Sequence, residues 1–302
     1  MKPIIAFAQH GGYFISGPGY RRIHNLPDWF KETMSKALEV YCVAFGPGDA
    51  AVVTYLDAQT GCVQLRIKNI ASMRGLAEYL LDRNPHTEYK RHLRHLQVSF
   101  SGRGGSYWAS DGQTSIYREL PEQLELDLRM LQTERGAWRD STRCVVLGAG
   151  GNYVLLTGRG ASSCQLGSYP GVFHTMNAVD SAPTGIGSIW GIHLDSFRGS
   201  SVVQCSDGSL HGFDLSPEAR RDIAQINRQV HAAQAAYCMA QEQLRQDLFQ
   251  AQVMQQAMFV QEEAALKHMF RKQLENQQWC AEMSARAGGV KWVEGDGYGR
   301  PK

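Results

Sequence analysis

Three groups of residues have the types and spacing that could do chemistry. The first is the run from Arg83 to His95, where Arg83, Lys90, Arg91 and Arg94 make the one strongly basic stretch of the chain. A basic stretch with an aromatic inside it, here Tyr89, can meet the phosphates of nucleic acid or lipid. His92 and His95 could share one face of a helix as metal ligands. Two imidazoles without a neighbouring carboxylate or cysteine fall short of a metal site, so no metal is expected. A solvated basic loop or helix is the simpler reading. The second group is the turn carboxylates Asp57, Asp111 and Asp207. Presented from equivalent places they could bind a cation or a glycan, but tight turns already call for Asp at such positions. The third is Arg103 with Tyr107 and Trp108, the candidates for ligand contact. Aromatic faces suit sugar rings, and Tyr13, Phe14 and Tyr153 recur at related places. The simpler reading is that these rings pack between structural units.

No catalytic residue and no cofactor are expected. Gly148-Ala149-Gly150-Gly151 lacks the Lys-Ser/Thr that lets a P-loop hold a nucleotide, and it sits in a hairpin. The chain has no G-x-S-x-G elbow and no H-E-x-x-H.

What must position these residues is a repeat. The stretch Phe100–Pro121 reads as three short strands: an apolar strand end, a Gly-rich turn, Tyr107-Trp108-Ala109, an Asp111-Gly112 turn, and Ser115-Ile116-Tyr117. Four relatives are found by aligning the apolar residue before each Gly-rich turn. The five anchors Phe7, Phe45, Phe100, Leu147 and Leu194 lie roughly 38, 55, 47 and 47 residues apart. Most units close with a proline, Pro27, Pro121 or Pro170, that opens a short helical pattern, as in the Leu124, Leu128, Leu131 stripe. Each unit is then about three strands plus a short helix, and none can bury its apolar face alone. The expected fold is mainly β with helices: residues 1–217 as a five-repeat β-propeller-like ring, which leaves no exposed sheet edge. An open stack of repeats is the rival.

After Pro217 the texture changes. Residues 218–287 contain neither Gly nor Pro, and Ile223, Val230, Tyr237, Leu244, Ala251, Met258 and Ala265 repeat every seven residues. A second stripe, Ile226, Ala233 and Ala240, slips where Asp247 falls in an apolar place and Leu248 takes over. This predicts one long C-terminal amphipathic helix, a coiled coil with a stutter. Ile223, Val230, Tyr237, Leu244 and Met258 are the expected oligomerisation positions. The Gly-rich end, 288–302, is read as a flexible tail.

The units FSGRGGSYWASDGQTSIYRELP and LGAGGNYVLLTGRG resemble the tectonin and tachylectin-type propeller repeats. They are also similar to tandem repeats of fungal proteins with an FGPxGSY…DGS…LP pattern. The resemblance covers residues 3–217 and implies a fold, with sugar binding as a second implication. The Trp-rich ligand positions of those lectins are not matched here, so no binding residue is carried over.

Composition narrows the classes further. A net charge of +2 gives no global attraction to nucleic acid. Seven cysteines without C-x-x-C spacing read as free thiols in a reducing compartment. The N-terminal apolar run is too short for a signal peptide, and no stretch of about 18 apolar residues predicts a membrane span. The expectation is a cytoplasmic or nuclear, non-enzymatic interaction or scaffold protein: a repeat ring binding a protein partner, with a helix that oligomerises. A multivalent carbohydrate-binding protein and an enzyme with a site in the central channel are the alternatives.

Overall fold

The computed structural model describes residues 3–73, 75–82, 91–102, 104–132, 140–182 and 185–287. Arg83, Lys90, Arg103 and the tail 288–302 lie outside the described residues.

Five times the chain folds into an antiparallel three-stranded sheet whose strands follow sequence order. The first unit is β1 (Ile4–Phe7), β2 (Tyr13–Gly17), β3 (Tyr20–His24) and helix α1 (Asp28–Lys36). The second is β4 (Ala37–Phe45), β5 (Ala51–Asp57), β6 (Val63–Lys68) and α2 (Leu76–Leu81). The third is β7 (Gln97–Phe100), β8 (Tyr107–Ser110), β9 (Ser115–Arg118) and α3 (Glu122–Met130). The fourth is β10 (Thr142–Leu147), β11 (Tyr153–Thr157), β12 (Ser162–Gln165) and α4 (Pro170–Asp180). The fifth is β13 (Ile189–Leu194), β14 (Ser201–Cys205), β15 (Leu210–Phe213) and α5 (Pro217–Ala287).

The register repeats with the sequence. Each anchor pairs with the first residue of the second strand: Phe7 with Tyr13, Phe45 with Ala51, Phe100 with Tyr107, Leu147 with Tyr153, Leu194 with Ser201. The turn between is closed by a main-chain bond such as Gly46 N to Ala50 O (2.7 Å) or Gly148 N to Asn152 O (2.7 Å). The bend after the third strand needs a left-handed residue, and asparagine takes it at Asn25 (φ 47°) and Asn69 (φ 50°). Their Nδ2 groups donate to His10 O (3.1 Å) and Gly48 O (3.3 Å), so the bend and the turn of one unit are tied together.

Packing joins each sheet to the next through the helix between them. Phe30 and Met34 of α1 lie between Phe14 of the first sheet and Phe45 of the second, with the Phe30 and Phe45 rings edge-on at 5.2 Å. Leu76 and Leu80 of α2 fill the joint of the second and third sheets. Leu124 and Leu128 of α3 meet Trp108, Leu147 and Tyr153 at the third joint, and Val172 and Met176 of α4 serve the fourth. The fifth joint is the informative one. Ala219, Ile223, Ile226 and Val230 of α5 are buried between Val202 and Leu210 of the last sheet and Ile5, Tyr13 and Ile15 of the first. The first strands are neighbours in the same order: β1 with β4, β4 with β7, β7 with β10, β10 with β13, and β13 with β1.

The opening of α5 thus does for the last unit what the short helices do for the others. A polar latch reinforces it. Tyr13 and Tyr20 both donate their hydroxyls to Asp222 of α5, at 2.7 Å and 2.6 Å, and Arg22 Nε stands 3.8 Å from the same carboxylate. The chain divides into two compact units, Met1–Gln234 and Ala235–Lys302. Ile223 and Val230, expected at an oligomer seam, are buried within the compact unit Met1–Gln234, between the last and first sheets. Tyr237, Leu244 and Met258 are 64%, 60% and 59% exposed on the helix beyond it. Among the described residues no helix is long and apolar enough to cross a membrane.

Candidate functional site

In every sheet the second strand is central, so the first strand has one edge without a strand partner. Those five first strands bound a cavity of about 720 Å³. Its wall is mostly main chain and small or apolar side chains. Gln97 and Arg143 stand at the starts of β7 and β10, and Tyr41 at the middle of the longer β4. The anchors Phe7, Phe45, Phe100, Leu147 and Leu194 stand at the strand ends. The hydroxyl of Ser99 accepts the otherwise unpaired N–H of Leu147 (2.8 Å), and Gln97 Nε2 donates to Arg143 O (3.1 Å). These two bonds bridge neighbouring first strands along the wall.

The segment before β7 contributes the rim. His92 and His95 sit on a turn closed by His95 N to His92 O (2.9 Å), with ring centroids 6.5 Å apart. Among the described residues no group of three or more His, Cys, Asp and Glu could hold a metal ion. Arg94 is exposed and lies over the Tyr41 ring, 5.6 Å from its centroid. Tyr41 in turn donates to Glu39 Oε2 at 3.0 Å. His92 Nε2 is 3.3 Å from Gln113 Nε2.

Arg91 has a different task from Arg94. Its guanidinium donates to Tyr79 O (3.1 Å) and Thr114 Oγ1 (2.9 Å), and it stacks over the Tyr79 ring at 4.0 Å. It fastens α2 to the β8–β9 turn.

The turn carboxylates are held by their own turns. Asp57 Oδ1 accepts the amides of Gln59 and Thr60, both at 2.9 Å. Asp111 Oδ1 accepts those of Gln113 (3.0 Å) and Thr114 (2.8 Å), and Asp207 Oδ1 accepts Ser209 N (2.9 Å) and Oγ (2.7 Å). The Thr60 amide is the strongest influence holding the Asp57 carboxyl below its usual range, and the Ser209 hydroxyl does the same for Asp207. Burial pushes Asp111 up, but the amides of Thr114 and Gln113 and the Thr114 hydroxyl outweigh it and leave it lowered.

Tyr107 and Trp108, candidates for ligand contact, are each 1% exposed. Trp108 fills the joint of the third and fourth sheets and Tyr107 that of the second and third. Tyr13, Phe14 and Tyr153 are likewise buried, so the recurring aromatics pack between units. All seven cysteines are free.

Sequence reasoning missed Tyr41, Gln97, Arg143 and the cavity-side role of Asp111 and Gln113. A signal was present. Counting back four residues from the anchors Phe45 and Leu147 reaches Tyr41 and Arg143, and three from Phe100 reaches Gln97.

Two smaller pockets lie at equivalent joints. One, about 390 Å³, is lined by His10, Asn25, Asp28, Trp29 and Asp49 between the first and second units. The other, about 430 Å³, is lined by Ser101, Glu119, Pro121, Gly148 and Asn152 between the third and fourth. No family model, no curated protein and no solved structure matches this chain.

Proposed function

We propose that the five sheets close into a five-bladed, propeller-like ring acting as a non-enzymatic interaction module, and that α5 beyond Gln234 joins copies of the chain. The observation that carries the reading is the row of large apolar side chains in water along that helix, Tyr237, Leu244 and Met258 among them. Most helical stability in proteins comes from packing an apolar face, and a second helix on this seam would supply that packing. At about 1.5 Å per residue, 235–287 spans about 80 Å, ample for a coiled coil. Its charge favours another helix over an anionic lipid surface. Residues 235–287 carry Arg245, Lys267, Arg271, Lys272 and Arg286 against Glu242, Asp247, Glu262, Glu263, Glu275 and Glu282.

The cyclic order of first-strand neighbours supports the closed ring over an open stack, and kinship with the tectonin-type repeats belongs to the same proposal. Sedimentation equilibrium of the full chain and of a chain ending at Gln234 tests it. The full chain is expected to associate and the shorter one to be monomeric. Two monomers would sink the reading. Ending the chain at Pro217 would not serve, because it removes the residues that fill the fifth joint.

A second reading, a multivalent carbohydrate-binding protein, is favoured by the two similar pockets at equivalent joints, one carrying the partly exposed ring of Trp29. Linked weak sites gain avidity when copies associate. A glycan array that shows no bound sugar would remove it.

A further inference from the structure

The central cavity has a chemical bias that neither the helix nor the joint pockets explain. We infer that it binds a small anion carrying a phosphate or carboxylate group, gripped by Arg143 and Arg94. At about 720 Å³ it falls in the size range of small-molecule sites, and its five-strand wall excludes a chain passing sideways across it.

Charge decides the class. The permanently charged cations on the lining are Arg94 and Arg143, and the one carboxylate among the described lining residues is Asp111. Asp111 is already engaged: one oxygen accepts the Gln113 and Thr114 amides and the Thr114 hydroxyl, and the other faces the His92 amide at 3.5 Å. Glu39 is not on the lining, and its carboxylate accepts the Tyr41 hydroxyl. The charged side chains of the cavity therefore sum to a net positive charge. His92, His95 and Gln113 bring side-chain N–H groups to the rim, while the free edges of the first strands bring main-chain N–H and C=O groups alike, so the side chains set the bias.

Arg143 is the centre of the site. Its Nη2 donates to Ile186 O at 3.2 Å, which fixes the head of the side chain. Its Nε is buried and has no hydrogen-bond partner among the described residues. A buried guanidinium donor left unpaired is costly, and a planar oxyanion is the partner that guanidinium geometry matches best. Arg94, stacked on Tyr41 at the rim, can close on the exposed side of such a ligand.

Calorimetric titration of the full chain in low-salt buffer tests this, with inorganic phosphate, citrate and a nucleoside monophosphate as probes and maltose as a neutral control. Saturable binding of at least one anionic probe is expected, and which one binds identifies the anion chemistry. Arg143→Met and Arg94→Met should each weaken binding about tenfold or more, while Arg66→Met, exposed on β6, should leave it unchanged. Should Arg143→Met lose its fold by circular dichroism, Arg143→Lys keeps the charge without the planar fork and should still weaken binding several-fold. The inference is overturned if no anionic probe saturates up to on the order of 10 mM. It is equally overturned if the Arg143 variants bind as the parent does, or if maltose binds as well as the anions. Helix pairing plays no part in any of these outcomes.

Discussion

The latch at Asp222 offers the sharpest test of how the start of α5 is held against the first sheet. Replacing Asp222 with Ala removes the acceptor of two phenolic hydroxyls at 2.7 Å and 2.6 Å and the charge facing Arg22. A hydrogen bond to a charged group contributes about 1.5–3 kcal/mol, and a buried donor left without a partner costs about 1–3 kcal/mol. Tyr13 is buried, so its hydroxyl has little access to water, whereas Tyr20 is half-exposed and can be rehydrated. The Arg22 contact at 3.8 Å is largely solvated and adds little. The expected loss is about 2–4 kcal/mol. For a unit of this size that lowers the melting temperature by about 4–16 °C. Urea unfolding of the full chain reads the loss directly as a lower midpoint with unchanged slope. The matched cycle with Tyr13→Phe should be non-additive, because both changes remove one bond. A loss below about 0.5 kcal/mol, the range of ordinary surface substitutions, would refute the reasoning. Full additivity with Tyr13→Phe would refute it too. The latch also has an alkaline limit. Burial first, and then the Asp222 contact, raise the Tyr13 phenol. Its contribution is therefore complete below the unfolded value of about 10 and is lost as pH climbs towards the raised folded one.

Two further outcomes are expected. Ile226 is fully buried between the last and first sheets, so Ile226→Ala should cost about 2–5 kcal/mol in urea unfolding, whereas Leu244→Ala, at a position 60% exposed, should lower self-association and change the unfolding of the monomeric full chain by less than about 0.5 kcal/mol. Equal losses in the two full-length variants, measured at a concentration where the chain is monomeric, would contradict the assignment. Asp57, Asp111 and Asp207 are lowered in the folded chain, so the stability they bring is present above the unfolded value of about 3.9 and is lost as pH falls through the folded ones. Asp57→Asn should narrow the gap between the urea midpoints at about pH 7 and pH 3; an unchanged gap would show that this carboxylate is not part of the acid response.

The repeat was legible because it rests on local chemistry. Anchors, Gly-rich turns and helix-opening prolines all act within a few residues, so Phe100–Pro121 and its relatives share a visible pattern. Pro217 was the exception. Its helix opens as those after Pro27 and Pro121 do, but it runs on for 71 residues, and the continuation hid the turns that belong to the fifth joint. The seven-residue spacing of Ile223 and Val230 with Tyr237 was real, yet periodicity cannot say where along one helix the neighbour changes. Aromatics are ambiguous in the same way. Tyr107 and Trp108 look alike in sequence whether they face a sugar or a neighbouring sheet. The cavity residues were the least legible. Tyr41, Gln97 and Arg143 come from strands far apart in the chain, and their shared offset of three or four residues before an anchor shows only once the repeats are aligned.

The fifth joint also dictates an order of events during synthesis. Tyr13 and its partner Asp222 are 209 residues apart. At about 5–20 residues per second, a growing chain needs about 10–40 s to make the second after the first. Throughout that interval Ile5, Tyr13 and Ile15 have no cover on the side that α5 will occupy. A chain stalled before Ile226 would keep that side open, a surface that chaperones recognise and that other nascent chains can stick to.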